Sequence, residues 1–307
     1  MNKLVIINIV LIILIIFLIN KKQKELLIED AVIPNIPQEK EDLEENKEEE
    51  RKTPEFKKYP PLRTVENLGK VLSDIESHMP AGHIYKDSDK ITWGHETTHG
   101  INSQLRMKSS KTSYQGNTTY IGQMIESVHG KPVFKSFNRI NCFYVLNDQY
   151  VVIQEPNTTI QEVAKNIPKS LRGGVYQLYL VQQAQSWNDT PLYVFDEWVA
   201  YTNGSEVRLD LKIKERSESV LFMLEFNVYA LCVAMTSKTN DEQLLNYLQW
   251  NIERAMNIYQ KSKQELGNSE DHDKYLNQMR NNADAQSLRE YTRETFGSDW
   301  CKEILGF

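Results

Sequence analysis

Residues 219–235, SVLFMLEFNVYALCVAM, are apolar nearly all the way round a helix, with only Glu225 and Asn227 interrupting. A helix without a polar face has to be wrapped by other elements or by lipid. The two polar interruptions and the globular sequence on either side favour a buried central helix over a membrane span. The remainder of the domain must therefore cover it on all sides. A buried carboxylate at Glu225 needs a partner, such as Arg208 or a histidine it could orient.

The flanking sequence supplies mostly helices. TVENLGKVLSDIESH (64–78) has helical apolar spacing behind Thr64 as a cap. TTIQEVAKNI (158–167) places Thr159 three residues before Glu162, the pattern of a capping box. VYQLYLVQQAQSW (175–187) reads as a helix, as does TPLYVFDEWVAYTNG, with Thr190 as cap and Pro191 in its first turn. Residues 241–264 and the stretches after 273 are amphipathic helices. CFYVL and QYVVI (142–153) flank an Asn-Asp pair and predict a β-hairpin. The fold class is α+β: a mostly helical domain with a small sheet, over residues 62–307.

Two segments precede it. Residues 4–19 are sixteen positions, all apolar but Asn8, flanked by Lys3 and by Lys21, Lys22 and Lys24. No small-residue cleavage site follows, so residues 1–24 are expected to be an uncleaved single-pass membrane anchor; neither side of the membrane is favoured strongly. Residues 25–61 are an acidic linker. Between 25 and 55 twelve acids face four bases, a net of −8, so the rest of the chain is slightly positive and the overall −6 belongs to this segment. With few apolar residues the linker cannot offset its own ordering entropy. An acidic chain of this kind is not expected to bind nucleic acid. Cys142, Cys232 and Cys301 are too few and too scattered for a disulfide framework or a cysteine zinc site. Sequons occur at Asn117, Asn157, Asn188 and Asn203; the last lies too close to Glu197 for a glycan.

The chemistry is concentrated in TWGHETTHGI, residues 92–101. On a helix His95 and His99 lie on one face and can chelate one Zn²⁺ through ring nitrogens. Glu96, one position round, can take a proton from the attacking water and pass it to a leaving amine. With six histidines in the chain, chance produces this pentapeptide in about one such sequence in a hundred.

A catalytic zinc needs a third protein ligand. Glu197 is the best candidate, because Val194, Phe195, Trp198 and Val199 make its surroundings apolar and Ala200 permits close helix approach. Tyr201, four residues on, shares its face and could donate to a developing oxyanion. Glu225, Asp196, Glu206 and His129 remain alternatives for the ligand. Tyr176, Tyr179 and Tyr193 remain alternatives for the oxyanion donor.

His95-Glu96-Thr97-Thr98-His99 followed by Glu197-Trp198-Val199-Ala200 resembles the gluzincin zinc metallopeptidases, and the Glu-x-x-Ala-Tyr pattern resembles lethal-factor-type toxin peptidases. That resemblance implies a zincin-like fold, His95, His99 and Glu197 as zinc ligands, Glu96 as general base, and a peptide or protein substrate. The rival expectation is a non-catalytic zincin-like module that binds on a tether.

Overall fold

The computed structural model of the chain describes residues 69–80, 89–113, 123–128, 131–136, 140–267 and 269–307. All fall in one compact unit, Glu50–Phe307. The expected anchor and acidic linker, Thr64, Asn117 and His129 lie outside the described residues.

The described chain is mostly helical. Helix α1 (Lys70–Ser77) is followed by α2 (Lys90–Ser113), which carries the His95–His99 segment. Two antiparallel hairpins come next, β1 (Gln123–Val128) with β2 (Lys131–Ser136), and β3 (Ile140–Tyr144) with β4 (Tyr150–Gln154). In the second, Cys142 stands opposite Val152. Its turn centres on the expected Asn147 and Asp148, both at positive φ, with Gln149 N–H donating to Leu146 O. Leu146 is also at positive φ. This inserts an extra left-handed residue and makes the connection longer than a bare two-residue turn.

Helix α3 (Ile160–Asn166) has the full capping box: the Thr159 hydroxyl accepts from Glu162 N–H while the Glu162 carboxylate accepts from Thr159 N–H. Residues 177–182 form a π-helical turn rather than the ordinary helix the spacing suggests, followed by a single α-turn, Ala184–Trp187. Helix α4 (Tyr193–Asp210) starts later than the Thr190-Pro191 signal. The Thr190 hydroxyl donates backwards to Trp187 O instead of capping forwards. Then come α5 (Glu218–Ser237), α6 (Glu242–Glu265), α7 (Glu270–Asn281) and α8 (Gln286–Phe296).

Helix α5 is the buried centre of the main core, where Phe226, Val228, Leu231 and Val233 are fully enclosed by side chains of α3, α4, α6 and α7. By length and apolarity it could cross a membrane, but most of it is covered by protein. Glu225 finds neither Arg208 nor a histidine. Its carboxylate accepts from Gly174 N–H, Val175 N–H and the Tyr229 hydroxyl. Arg208 is buried too and donates to the carbonyls of Lys214 and Glu215.

Helix α4 is buried along nearly its whole length and crosses α2 through two glycines. A Cβ on Gly94 of α2 would lie 2.9 Å from Val207 Cγ2, and one on Gly204 of α4 would lie 3.2 Å from Ile91 O and 3.4 Å from His95 Cβ. A side chain at either position would have to displace its neighbour. A smaller core of Val71, Leu72, Ile75, Trp93, Tyr144 and Val207 closes the far side of the crossing. There His78 joins α1 to the β3–β4 turn, with Nδ1 near Asp74 O and the Tyr144 hydroxyl and Nε2 2.9 Å from Asp148 Oδ1.

Two outcomes follow from this packing. Gly204→Val should cost about 1–3 kcal/mol by overpacking against the Ile91 carbonyl, read as a lower denaturant midpoint at unchanged slope. For His78, burial acts to lower the pKa, but the Asp74 carbonyl, the Asp148 hydrogen bond and both carboxylate charges raise it above the ordinary 6.5. A raised folded pKa adds stability that is complete below the unfolded value and is lost as pH rises through the folded one. The stability difference between the wild-type chain and His78→Gln should therefore shrink as pH is raised from 6 to 8, measured by denaturant titration at each pH.

Candidate metal centre

Helix α2 presents His95 and His99 one turn apart toward α4, and α4 presents Glu197 toward them. His95 Nε2 and His99 Nε2 are 3.1 Å apart. Glu197 Oε2 lies 3.7 Å from the first and 3.5 Å from the second. A tetrahedral ion with bonds of about 2.0–2.1 Å sets its ligand atoms about 3.3 Å apart, so this triangle has the edge lengths of one face of such a site. Glu197 Oε2 is buried and has no hydrogen-bond partner, as is His95 Nδ1. A buried carboxylate oxygen left without a donor is costly unless a cation faces it. These three residues form a site able to hold a metal ion, and nitrogen and carboxylate donors on three corners suit a divalent transition metal.

The supporting contacts orient each ligand. His99 Nδ1 lies 3.1 Å from Asp196 Oδ2, and Asn102 donates to Asp196 Oδ1 at 2.6 Å. A proton on His99 Nδ1 leaves the lone pair on Nε2, pointing into the triangle. The Tyr193 hydroxyl donates to Glu197 Oε1 at 2.8 Å, which leaves Oε2 as the inward oxygen. The Tyr193 ring is itself stacked on Trp187, centroids 4.9 Å apart.

Charge in this enclosed space is mutually perturbing. Burial and the His99 charge push His95 well below its ordinary pKa, so its imidazole stays neutral. His99 is held well above, because Asp196 and Glu197 outweigh the effect of burial. Asp196 is lowered: burial opposes, but the His99 charge and hydrogen bond, with Asn102, prevail. Burial raises Glu96 to about 7; His99 opposes this, and the charges of Glu197 and Asp196 add to it. A carboxyl group tuned to that range can both accept and return a proton near neutrality. A cation in the triangle would stabilise the charged form of each carboxylate.

Tyr201 packs its ring 4.3 Å from the His95 ring, and its hydroxyl is 2.9 Å from that of Tyr179, delivered by the π-helical turn. Burial, then the Glu197 charge, raises its pKa, so the phenol keeps its proton as a donor.

Of the alternatives, Glu225 is bound to the Gly174–Val175 backbone, and Glu206 is paired with Arg254, whose Nε donates to it at 2.8 Å. Asp196 is at the site, but holds the far nitrogen of His99 rather than a corner of the triangle. Tyr176 donates to Ala164 O, away from the histidines. Tyr193 is taken up by Glu197 and Gln183, both at its hydroxyl. Asn203 is fully buried, which leaves no room for a glycan. Sequence spacing alone did not reveal the orienting roles of Asp196, Asn102 and Tyr193. The four-residue step from Tyr193 to Glu197, the same signal that singles out Tyr201, would have found one of them.

No family model, no curated protein and no solved structure matches this chain.

Removing one orienting contact should weaken metal binding without unfolding the chain. Tyr193→Phe and Asp196→Asn are each expected to raise the dissociation constant for Zn²⁺ about 10–100-fold, measured by chelator competition.

Proposed function

We propose that the chain is a zinc-dependent endopeptidase of zincin-like fold, held at a membrane by residues 1–24. The observation that carries this reading is the Nε2–Nε2–Oε2 triangle of 3.1, 3.5 and 3.7 Å, with the Glu96 carboxyl one position round the same helix. Two histidines one helical turn apart, with a glutamate between them and a second glutamate on a crossing helix, form the pattern that resembles the gluzincins.

His95 Nε2, His99 Nε2 and Glu197 Oε2 would hold the metal. When bound there, zinc supplies Lewis-acid polarisation of a scissile carbonyl and makes water acidic enough to attack it. Glu96 accepts the proton of the attacking water and returns it to the departing amine. The Tyr201 phenol donates to the carbonyl oxygen as negative charge develops on it, its hydroxyl held in place by Tyr179. Asp196 keeps the proton of His99 on Nδ1 through both steps. The apolar surroundings (Phe222 and Phe226 pack on Tyr201) exclude bulk water and strengthen each of these interactions.

The test uses the full-length chain. Elemental analysis should find about one zinc per chain, lost in His95→Ala. Glu96→Gln should keep the metal and lower cleavage of a peptide library about 10²–10⁴-fold. A well-folded chain without metal would overturn the reading. Zinc bound with no cleavage of any peptide would favour the tethered binding module instead.

A further inference from the structure

Next to the metal triangle runs a chain of buried polar groups that none of the steps above uses. Asn203 is fully buried on α4, nearly two turns beyond Glu197. Its Oδ1 accepts from Arg254 Nη2 of α6 at 2.8 Å. Its Nδ2 donates to Thr98 Oγ1 of α2 at 3.0 Å and to Tyr144 O of β3 at 3.2 Å. Thr98 Oγ1 donates in turn to Gly94 O at 2.8 Å. The direction of every bond is forced. A guanidinium only donates, so Oδ1 must face Arg254, and a carbonyl only accepts, so Nδ2 must face Tyr144. The Thr98 hydrogen is spent on Gly94, so its oxygen receives from Asn203. Arg254 is anchored by Glu206, with side chains only 5% and 6% exposed.

We infer that Asn203 is a positioning residue for the metal centre: with Arg254 and Glu206 behind it, it fixes the rotation of the ligand helix α2 through the hydroxyl of Thr98. This role rests on the proposed metal reading. Thr98 sits three residues after His95 and one before His99, in the single turn that carries both ligands. The imidazole Nε2 atoms stand roughly 6–7 Å from the helix axis, so a rotation of α2 by about 10° moves them by about 1 Å. A metal site tolerates deviations of about 0.2 Å. Glycine contacts at the crossing set how close α2 and α4 lie, but apolar surfaces slide and turn on one another. Directed hydrogen bonds resist such a turn: Asn102 binds Asp196 and the Tyr144 N–H farther along α2, and the Asn203–Thr98 bond acts within the turn that carries both ligands. A buried ion pair adds little net stability over apolar replacements. Its use here is to present one fixed donor to Asn203.

The experiment separates the Thr98 hydroxyl from its shape, in the full-length chain. Thr98→Val keeps the shape and loses the hydroxyl; Thr98→Ala loses the hydroxyl and cannot overpack; Thr98→Ser keeps the hydroxyl. Zn²⁺ affinity is measured by chelator competition, coordination geometry by the visible absorption of the Co²⁺-loaded protein, and fold by thermal unfolding of the metal-free chain. Both hydroxyl-free variants should bind Zn²⁺ about tenfold or more weakly and shift the Co²⁺ bands, while Thr98→Ser stays within about twofold of wild type with unshifted bands. Asn203→Leu should reproduce the loss, and adding Thr98→Val to it should cost little more. Folded hydroxyl-free variants with unchanged affinity and spectrum would overturn the inference. So would a Thr98→Ser variant as weak as Thr98→Val. A wild-type chain that takes up neither ion would overturn the metal reading itself, and this role with it.

Discussion

Everything at the centre depends on how closely α2 and α4 approach. Gly94 and Gly204 face each other's helices, and a methyl group on Gly204 would press on the Cβ of His95 itself. Ordinary helix pairs lie about 8–10 Å apart, separated by their side chains. Here glycine removes that spacer on both partners, and short carboxylate and imidazole side chains can then reach one point from two helices. Larger residues at these positions would push the two helices apart, a side chain on Gly204 against the Ile91 carbonyl and one on Gly94 against Val207, and would carry Glu197 away from the Nε2 atoms.

That proximity has an electrostatic cost. Glu96, Asp196 and Glu197 crowd two histidines in a space largely closed to water, where like charges repel strongly. The structure divides the groups by environment. Asn102 and His99 satisfy Asp196, and Tyr193 satisfies one oxygen of Glu197. Glu96, across the crossing on α2, is raised to about 7 mainly by burial, with His99 opposing and the neighbouring carboxylates adding to it. Two differently supported kinds of carboxylate thus arise side by side, Asp196 held in its charged form by its partners and Glu96 left free to exchange a proton.

How much of this was legible in the sequence differs by element, for physical reasons. The apolar run of α5, the Thr159–Glu162 capping box and the Asn147-Asp148 turn depend on local spacing, and each forms at its expected place. The start of α4 does not, because the Thr190 hydroxyl has a competing acceptor at Trp187 O. The π-helical turn at 177–182 is invisible to a 3.6-residue pattern, since one extra residue per turn changes no composition. Glu225 shows the limit of reasoning from charge alone. A partner was required, but it is a pair of backbone N–H groups beside Gly173, where any Cβ would overlap the carboxylate. His95, Glu96 and His99 are set by spacing within one helix. Which acid joins them depends on two helices crossing at glycines about a hundred residues apart, a fact of tertiary packing that no local pattern encodes.

Helix α4 shows why the site and the fold cannot be separated. Tyr193, Glu197 and Tyr201 recur every four residues and line the side toward the histidines. Asn203 and Gly204 continue that side as contact rather than chemistry, and Glu206 turns to Arg254. Being buried all round, the helix has no face on which a substitution escapes a neighbour. An amphipathic helix could carry ligands on one side and drift on the other, since water accepts any orientation. A helix held on every side by α2, α5, α6 and β3 is fixed in rotation by its packing and by the hydrogen bonds of Asn203 and Glu206. The same burial that gives α4 no surface thereby defines where Glu197 points.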